Sequence, residues 1–243
     1  ACIAYDVGNL LTTLILYAQL PLGAQDLPPD LSANLETIID QAQQATNLVQ
    51  QILDFSSRAM IELQPLDLEP FLSDVLAVLR RTIPESIHIT WEVGPGPYIV
   101  QADDGRLQQA LMNLALNARD AMPEGGDLRF GLSRLEVTPD DPVPVTDIDF
   151  GDWVCLAISD TGTGMSQEVE EHLFEPFFTT KDVGEGTGLG LAQVYGIVRQ
   201  HNGAIDVETE PGAGSTFRIY LPASNVDDGV GAAAPPAQDA GGV

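Results

Sequence analysis

Apolar positions recur at helical spacing over the first sixty residues. Ile3, Val7, Leu10, Leu14 and Tyr17 are separated by 4, 3, 4 and 3 residues. Leu31, Leu35, Ile38, Ala42, Ala45, Val49 and Ile52 repeat that alternation in a second run. Such seams belong to helices packed in bundles. Pro21, Gly23, Pro28 and Pro29 separate the two runs, and Asp30 or Ser32 can cap the second. Leu11, Ile15 and Ala18 form a further apolar set beside the first seam. Two helices cannot bury this much apolar surface alone, so an antiparallel hairpin completed to a four-helix bundle by a second copy is expected, through residues 1–62.

Beyond residue 62 the pattern becomes mixed. Helical spacing spans roughly 67–82, and strand-like runs follow at Ile87–Glu92 and Tyr98–Gln101. A helix from about Asp104 to Ala121 stops at Met122-Pro123-Glu124-Gly125-Gly126. Strands are expected near Asp127–Val137 and Asp152–Ser159, with an acidic, proline-containing loop between them. A short helix is expected near Ser166–Phe174 and a longer one over Gly188–His201. Two alternating strands, one with Ile205 and Val207 and the other with Phe217, Ile219 and Leu221, close this region. Helices and strands do not alternate regularly, so the prediction is an α+β chain with helices on one face of a mixed sheet. The expected division is a helical hairpin at 1–62, an α/β domain at 63–222 and a flexible Ala/Gly/Pro/Asp tail at 223–243.

Composition narrows the function classes. Acidic residues number 36 against 10 basic ones, a net charge of −26, which argues against nucleic acid or anionic membrane surfaces as partners. No apolar stretch is long enough to span a bilayer, and no signal peptide opens the chain. Cys2 and Cys155 lie in separate segments, which suits a reducing cytoplasm. The start at Ala1 reads as a piece of a longer protein, one that upstream domains could attach to a membrane. Lys181 is the single lysine, so the acidic surface suits either a halophile or an arginine-preferring genome.

Candidate chemistry is concentrated after residue 100. On the 104–121 helix, Gln109, Asn113, Asn117 and Asp120 share one face, opposite Leu107, Ala110, Leu111, Leu114 and Ala118. Amide oxygens in a row can ligate a hard cation such as magnesium; taken alone, the row is equally a solvated face. Asp160-Thr161-Gly162-Thr163-Gly164-Met165 follows the apolar run Val154–Ile158. An aspartate there can accept from an exocyclic amine, and glycines let a flat ring approach the backbone. The bland alternative is a capped tight turn. Gly184 to Leu191 is glycine-rich and opens a helix, an arrangement that offers backbone N–H groups to phosphate, with Lys181 just before it. It is neither a Walker A sequence nor a Rossmann fingerprint. A last glycine set, Gly212-Ala213-Gly214-Ser215, opens the final strand.

In this order the four elements resemble the ATP-binding domain of sensor histidine kinases, within the gyrase, heat-shock chaperone, histidine kinase and mismatch-repair superfamily. The resemblance implies that the chain binds ATP with Mg2+. It implies Asn113 as magnesium ligand, assisted by Asn117, with Asp120 on the same face. Asp160 would contact adenine, with Gly162 and Gly164 shaping the base pocket and Ser215 supporting a water-mediated contact. Phe178, Thr180 and Lys181 fall in a phenylalanine-rich lid, and Gly186, Thr187, Gly188, Leu189 and Gly190 would wrap the phosphates. Gln109 stands where many superfamily ATPases carry a catalytic glutamate; a glutamine cannot act as a base, which suits phosphotransfer better than hydrolysis.

The helical pair carries the resemblance further. Ile3-Ala4-Tyr5-Asp6-Val7-Gly8-Asn9-Leu10-Leu11-Thr12 is similar to the phosphoacceptor box of hybrid histidine kinases. Asp6 and Asn9 match, and Asp6 would be the acid/base partner. The phosphoacceptor position, however, holds Tyr5. The histidine kinase reading implies a response-regulator receiver domain as partner, in cis beyond the tail or in trans. With Tyr5, the expectation is that autophosphorylation is lost; the alternative is a natural pseudokinase that binds ATP and regulates a partner kinase. His88, His172 and His201 are expected to be structural.

Overall fold

In the computed structural model of the chain, the described residues are 2–22, 28, 31–35, 37–39, 41–42, 45, 61–139, 148–181 and 187–224. They form two compact units, one from residues 1–61 and 171–196, the other from 62–170 and 197–243.

In the first unit, α1 spans Cys2–Leu22 and ends one residue beyond Pro21. The described residues between 31 and 45 are also helical. Of the first seam, Leu10, Leu14 and Tyr17 are exposed in the single chain, whereas Leu11 and Ile15 are half-buried and Ala18 is buried. In the second run Ala42 is buried, while Leu31 and Ile38 are exposed. The side chains of Ile3, Val7, Val49 and Ile52 lie outside the described residues.

The second unit holds the sheet. β1 (Gln64–Asp67) leads directly into α2 (Leu68–Thr82), whose first turn is capped by the Asp67 carboxylate accepting from Glu69 N–H at 3.1 Å. Leu68, Leu72, Val75, Leu76 and Leu79 supply its buried stripe. β2 (Ile87–Val93), β3 (Ile99–Ala102) and α3 (Asp104–Ala121) follow. α3 is capped by Asp103, which accepts from Arg106 N–H at 3.0 Å. β4 (Gly126–Val137) and β5 (Gly151–Asp160) precede α4 (Gln167–His172) and α5 (Gly190–Gln200). β6 (Ala204–Glu210) and β7 (Gly214–Pro222) form the closing hairpin. The main sheet has the order β2-β4-β5-β7-β6, parallel between β2 and β4 and antiparallel elsewhere. α2 packs against β2 and α3 against β5. Leu128, Phe130, Val154, Leu156, Ile158, Phe217, Ile219 and Leu221 are all buried.

Three features go beyond the sequence pattern. β1 and β3 pair antiparallel in a separate two-stranded sheet. Ala223 and Ser224 are hydrogen-bonded to the fold, with Ala223 N–H donating to Asp152 O at 2.9 Å and Ser224 N–H to Ile99 O at 2.8 Å; residues 225–243 lie outside the described residues. The opposite sheet face is also partly covered: Val137, Trp153, Cys155, Ala204 and Tyr220 form a second core with Ile148. Ile148 comes from the acidic loop, and Trp153 Nε1 ties that loop down by donating to Asp149 O at 2.9 Å.

Candidate functional site

The strand register brings together residues that are far apart in sequence. Leu128, Asp160, Ser215 and Thr209 are successive partners across β4, β5, β7 and β6. Directly opposed residues in a ladder share one face, with Cβ atoms about 5 Å apart. Asp160 ends β5 and is buried, as is Ser215 beside it. The Asp160 carboxylate accepts from Gly162 N–H at 2.8 Å. Burial pushes its pKa up, against the backbone hydrogen bonds from Gly162 and Ser215.

The loop after Asp160 is held from three sides. Thr161 N–H donates to Asp127 O at 3.2 Å and Thr163 N–H to Ala121 O at 3.0 Å. Gly212 N–H donates to Thr163 O at 2.7 Å, and Met165 N–H to Thr209 Oγ1 at 2.9 Å. Gly164 has a φ of 61°, and a Cβ there would collide with the Glu210 carbonyl. The close approach this glycine permits is therefore between the loop and the β6–β7 hairpin. The loop holds the Asp160 carboxylate in place at the strand end.

α3 presents the carboxamide row as its spacing implied. Leu107, Ala110, Leu111, Leu114, Ala115 and Ala118 are buried, and Gln109, Asn113 and Asn117 are half-buried. Arg106 Nη1 donates to Gln109 Oε1 at 3.5 Å. Asp120 is exposed and engaged by Arg119, with Nη2 to Oδ1 at 2.6 Å. Among the described residues no cluster of three His, Cys, Asp or Glu side chains is placed to hold a metal by itself.

His201 is structural, as expected. It is 2% exposed; Nε2 accepts from Asp103 N–H at 2.9 Å and Nδ1 meets Ile197 O at 2.8 Å. Those partners require the Nδ1-protonated tautomer. His88 is exposed on β2, and His172 pairs with Glu175 at 2.8 Å.

The phenylalanine-rich segment belongs to the other unit. Phe178 packs on His172 with ring centroids 5.7 Å apart, and Phe174 on Tyr195 at 5.3 Å. Phe177 has a left-handed φ of 70°, and its N–H donates to Gly188 O at 2.9 Å. Gly188 is itself at φ 64°, where a Cβ would strike the Phe177 backbone. Thr187 Oγ1 accepts from Leu189 N–H at 3.4 Å ahead of α5, and Leu189 is buried. Thr180 and Lys181 are exposed, and Gly190 opens α5. Gly186 lies outside the described residues, as do the side chains of Tyr5, Asp6 and Asn9; the backbone at those three positions is helical.

Residues 102–225 match the family described as histidine kinase-, DNA gyrase B- and HSP90-like ATPase, and residues 1–59 match the His Kinase A phospho-acceptor domain. The chain belongs to the sensor histidine kinases. It is 40% identical over 220 residues to the sensor kinase CckA of Brucella abortus, covering 90% of this chain and 23% of that protein. The sensor histidine kinase ZraS of Klebsiella oxytoca is 31% identical, covering 91% of this chain and 45% of that protein. The chain thus spans less than half the length of these curated relatives. Among solved structures it resembles full-length ShkA in complex with AMPPNP, with TM-score 0.71 and 26% identity over 91% of this chain and 45% of that one. It also resembles the mycobacterial sensor histidine kinase MprB, with TM-score 0.53 and 28% identity over 66% of this chain and 97% of that one. No helix among the described residues is long and apolar enough to cross a membrane.

Thr209 is the residue of this histidine kinase that sequence reasoning missed. The Pro211-Gly212-Ala213 turn marks a hairpin in the sequence, but only the paired strands show that position 209 stands opposite 215.

Proposed function

We propose that this chain is the core of a two-component kinase that binds magnesium ATP, works as a dimer and acts with a response-regulator receiver domain. Residues 1–62 are the dimerisation and phosphoacceptor hairpin and residues 63–222 the nucleotide-binding part. The observation that carries the nucleotide reading is Asp160, a buried carboxylate fixed at a strand end beside Ser215, with no basic partner among the described residues. Such a group suits an exocyclic amine, here the adenine of ATP. ShkA, similar over most of this chain, was solved with AMPPNP, an adenine nucleotide analogue.

Asn113 and Asn117 would hold Mg2+. Two half-buried carboxamide residues one turn apart, with no acidic metal cluster among the described residues, fit a hard cation that arrives with phosphate and water ligands. That ion would supply charge neutralisation at the phosphates. Asp120 shares this helix face. Phe178, Thr180 and Lys181 form the lid, and Gly186, Thr187, Gly188, Leu189 and Gly190 the phosphate-wrapping stretch. These lid roles rest on their order in the sequence. Calorimetry with magnesium ATP tests the whole reading: binding in the micromolar-to-millimolar range usual for enzyme substrates is expected, roughly, and an intact chain that binds none overturns it.

Lys181→Ala should weaken ATP more than ADP, because the lid cation acts mainly on the terminal phosphate. Equal losses in the two titrations would place Lys181 away from that phosphate.

The exposed residues Leu10, Leu14 and Tyr17 support dimerisation: a second copy would cover the apolar face that the single chain leaves open. Leu14→Glu sets a charge into that seam and should convert dimers to monomers in sedimentation. A parent chain that is already monomeric at high concentration contradicts the bundle.

A second reading, the natural pseudokinase, is favoured by one observation: Tyr5 occupies the phosphoacceptor position. In that case ATP binding persists and position 5 passes no phosphate.

A further inference from the structure

A hydroxyl carries one proton, and at Thr209 the neighbours decide where it goes. Thr209 Oγ1 lies 3.1 Å from Gly214 O, 2.9 Å from Met165 N and 2.9 Å from Ser215 Oγ. The Gly214 carbonyl can only accept, and the Met165 amide can only donate. The Thr209 proton therefore goes to Gly214, and its lone pairs face Met165 N–H and Ser215. A bond between Thr209 and Ser215 then has Ser215 as its donor. In that arrangement Ser215 Oγ has only lone pairs for anything else it meets. Its cross-strand neighbour on the other side is Asp160, whose carboxylate also only accepts.

We propose that Thr209 is a positioning residue for base specificity: by taking the Ser215 proton, it makes the Asp160–Ser215 pair a two-acceptor edge. Such an edge receives the exocyclic amine of a 6-aminopurine and repels the ring carbonyl of a 6-oxopurine. The inference rests on the nucleotide reading of Asp160 given above, and it adds a residue that touches no ligand. Without Thr209, the Ser215 hydroxyl can rotate and donate to a ring carbonyl, so discrimination falls even though Asp160 and Ser215 are both intact. The cost of presenting an acceptor to an acceptor is what distinguishes the two bases.

The test measures affinity for ATP and ITP by calorimetry in the parent chain, Thr209→Val, Thr209→Ser and Ser215→Ala. Valine keeps the shape and removes the hydroxyl; serine keeps the hydroxyl. The parent should prefer ATP, and Thr209→Val should lower the ATP:ITP preference about fivefold, with Thr209→Ser restoring it. Loss of a purely structural bond would weaken both nucleotides equally and leave the ratio unchanged, which would overturn the proposal. If Thr209→Val does not fold, Ser215→Ala decides: an unchanged ratio there shows that the Ser215 oxygen takes no part in discrimination, and the proposal fails. Failure of the parent to bind ATP at all instead refutes the nucleotide reading and the inference with it.

Discussion

A Tyr5→His chain incubated with labelled magnesium ATP is expected to acquire an acid-labile, base-stable phosphoryl group, and the parent chain none. The phenol of tyrosine has a pKa of about 10 and is neutral at pH 7. Its phosphate ester is also a poorer phosphoryl donor than a phosphoimidazole. Imidazole is largely neutral and nucleophilic at that pH. Position 5 lies on a continuous helix, and at about 100° per residue it shares a stripe with Asn9 and Thr12. Asp6 follows directly in sequence and, on the proposed reading, would be the proton acceptor the reaction needs. Asp6 is present in both chains, so the acceptor alone makes the difference: label should appear on the variant and stay at background on the parent. A silent variant that still binds ATP would favour the pseudokinase, with Gly8, which costs the helix up to about 1 kcal/mol relative to alanine, as a further position that departs from the family pattern. Acid-stable label on the parent chain would refute both readings and make Tyr5 a true acceptor.

Asp160→Asn should weaken ATP binding by about 10- to 100-fold while leaving the fold intact. The substitution keeps size and can keep the acceptor for Gly162 N–H, but it turns the other position from an acceptor into a donor, facing the adenine amine. Calorimetry that finds affinity within threefold of the parent would remove Asp160 from the base contact. Stability should move the other way. Burial raises the Asp160 pKa above the ordinary carboxylate value of about 4. The folded chain then holds that proton more tightly than the unfolded chain does. The group's contribution to stability is therefore present at low pH and is lost as pH rises from the ordinary value through the raised one. The asparagine variant has no such loss. Thermal melts should show it gaining on the parent across that window, and a parent that gains stability there relative to the variant would contradict the assignment.

Much of this molecule was legible in its residues. The stop after Ala121, the polar row on α3 and the apolar face opposite it are consequences of helical period and of Pro and Gly chemistry, which act within a few residues. β5 was also legible as a strand, from its apolar run Val154–Ile158. What covers the opposite sheet face was not legible. Ile148 stands alone in an acidic, proline-containing loop, and only the fold brings it to Trp153, Cys155 and Tyr220. The seam on α1 was read correctly as apolar, yet the single chain leaves Leu10, Leu14 and Tyr17 exposed and covers their neighbours. Period identifies an apolar stripe without saying which partner covers it.

By itself, the sequence determined the order of elements from α2 onward, the chain's family resemblance and the identity of the chemical groups: the acidic strand end, the glycine turns and the tyrosine at position 5. Each depends on local propensity or on residue type, and neither requires knowledge of long-range pairing. The tertiary structure alone decided that Leu128, Asp160, Ser215 and Thr209 form one cross-strand row, because register is set by ladders joining residues up to about seventy positions apart. It also set the contacts from which the proposed proton arrangement of that row follows. Hydrogen-bond polarity depends on every neighbour of a hydroxyl at once, and those neighbours, Met165, Gly214 and Ser215, meet Thr209 only when the sheet has closed.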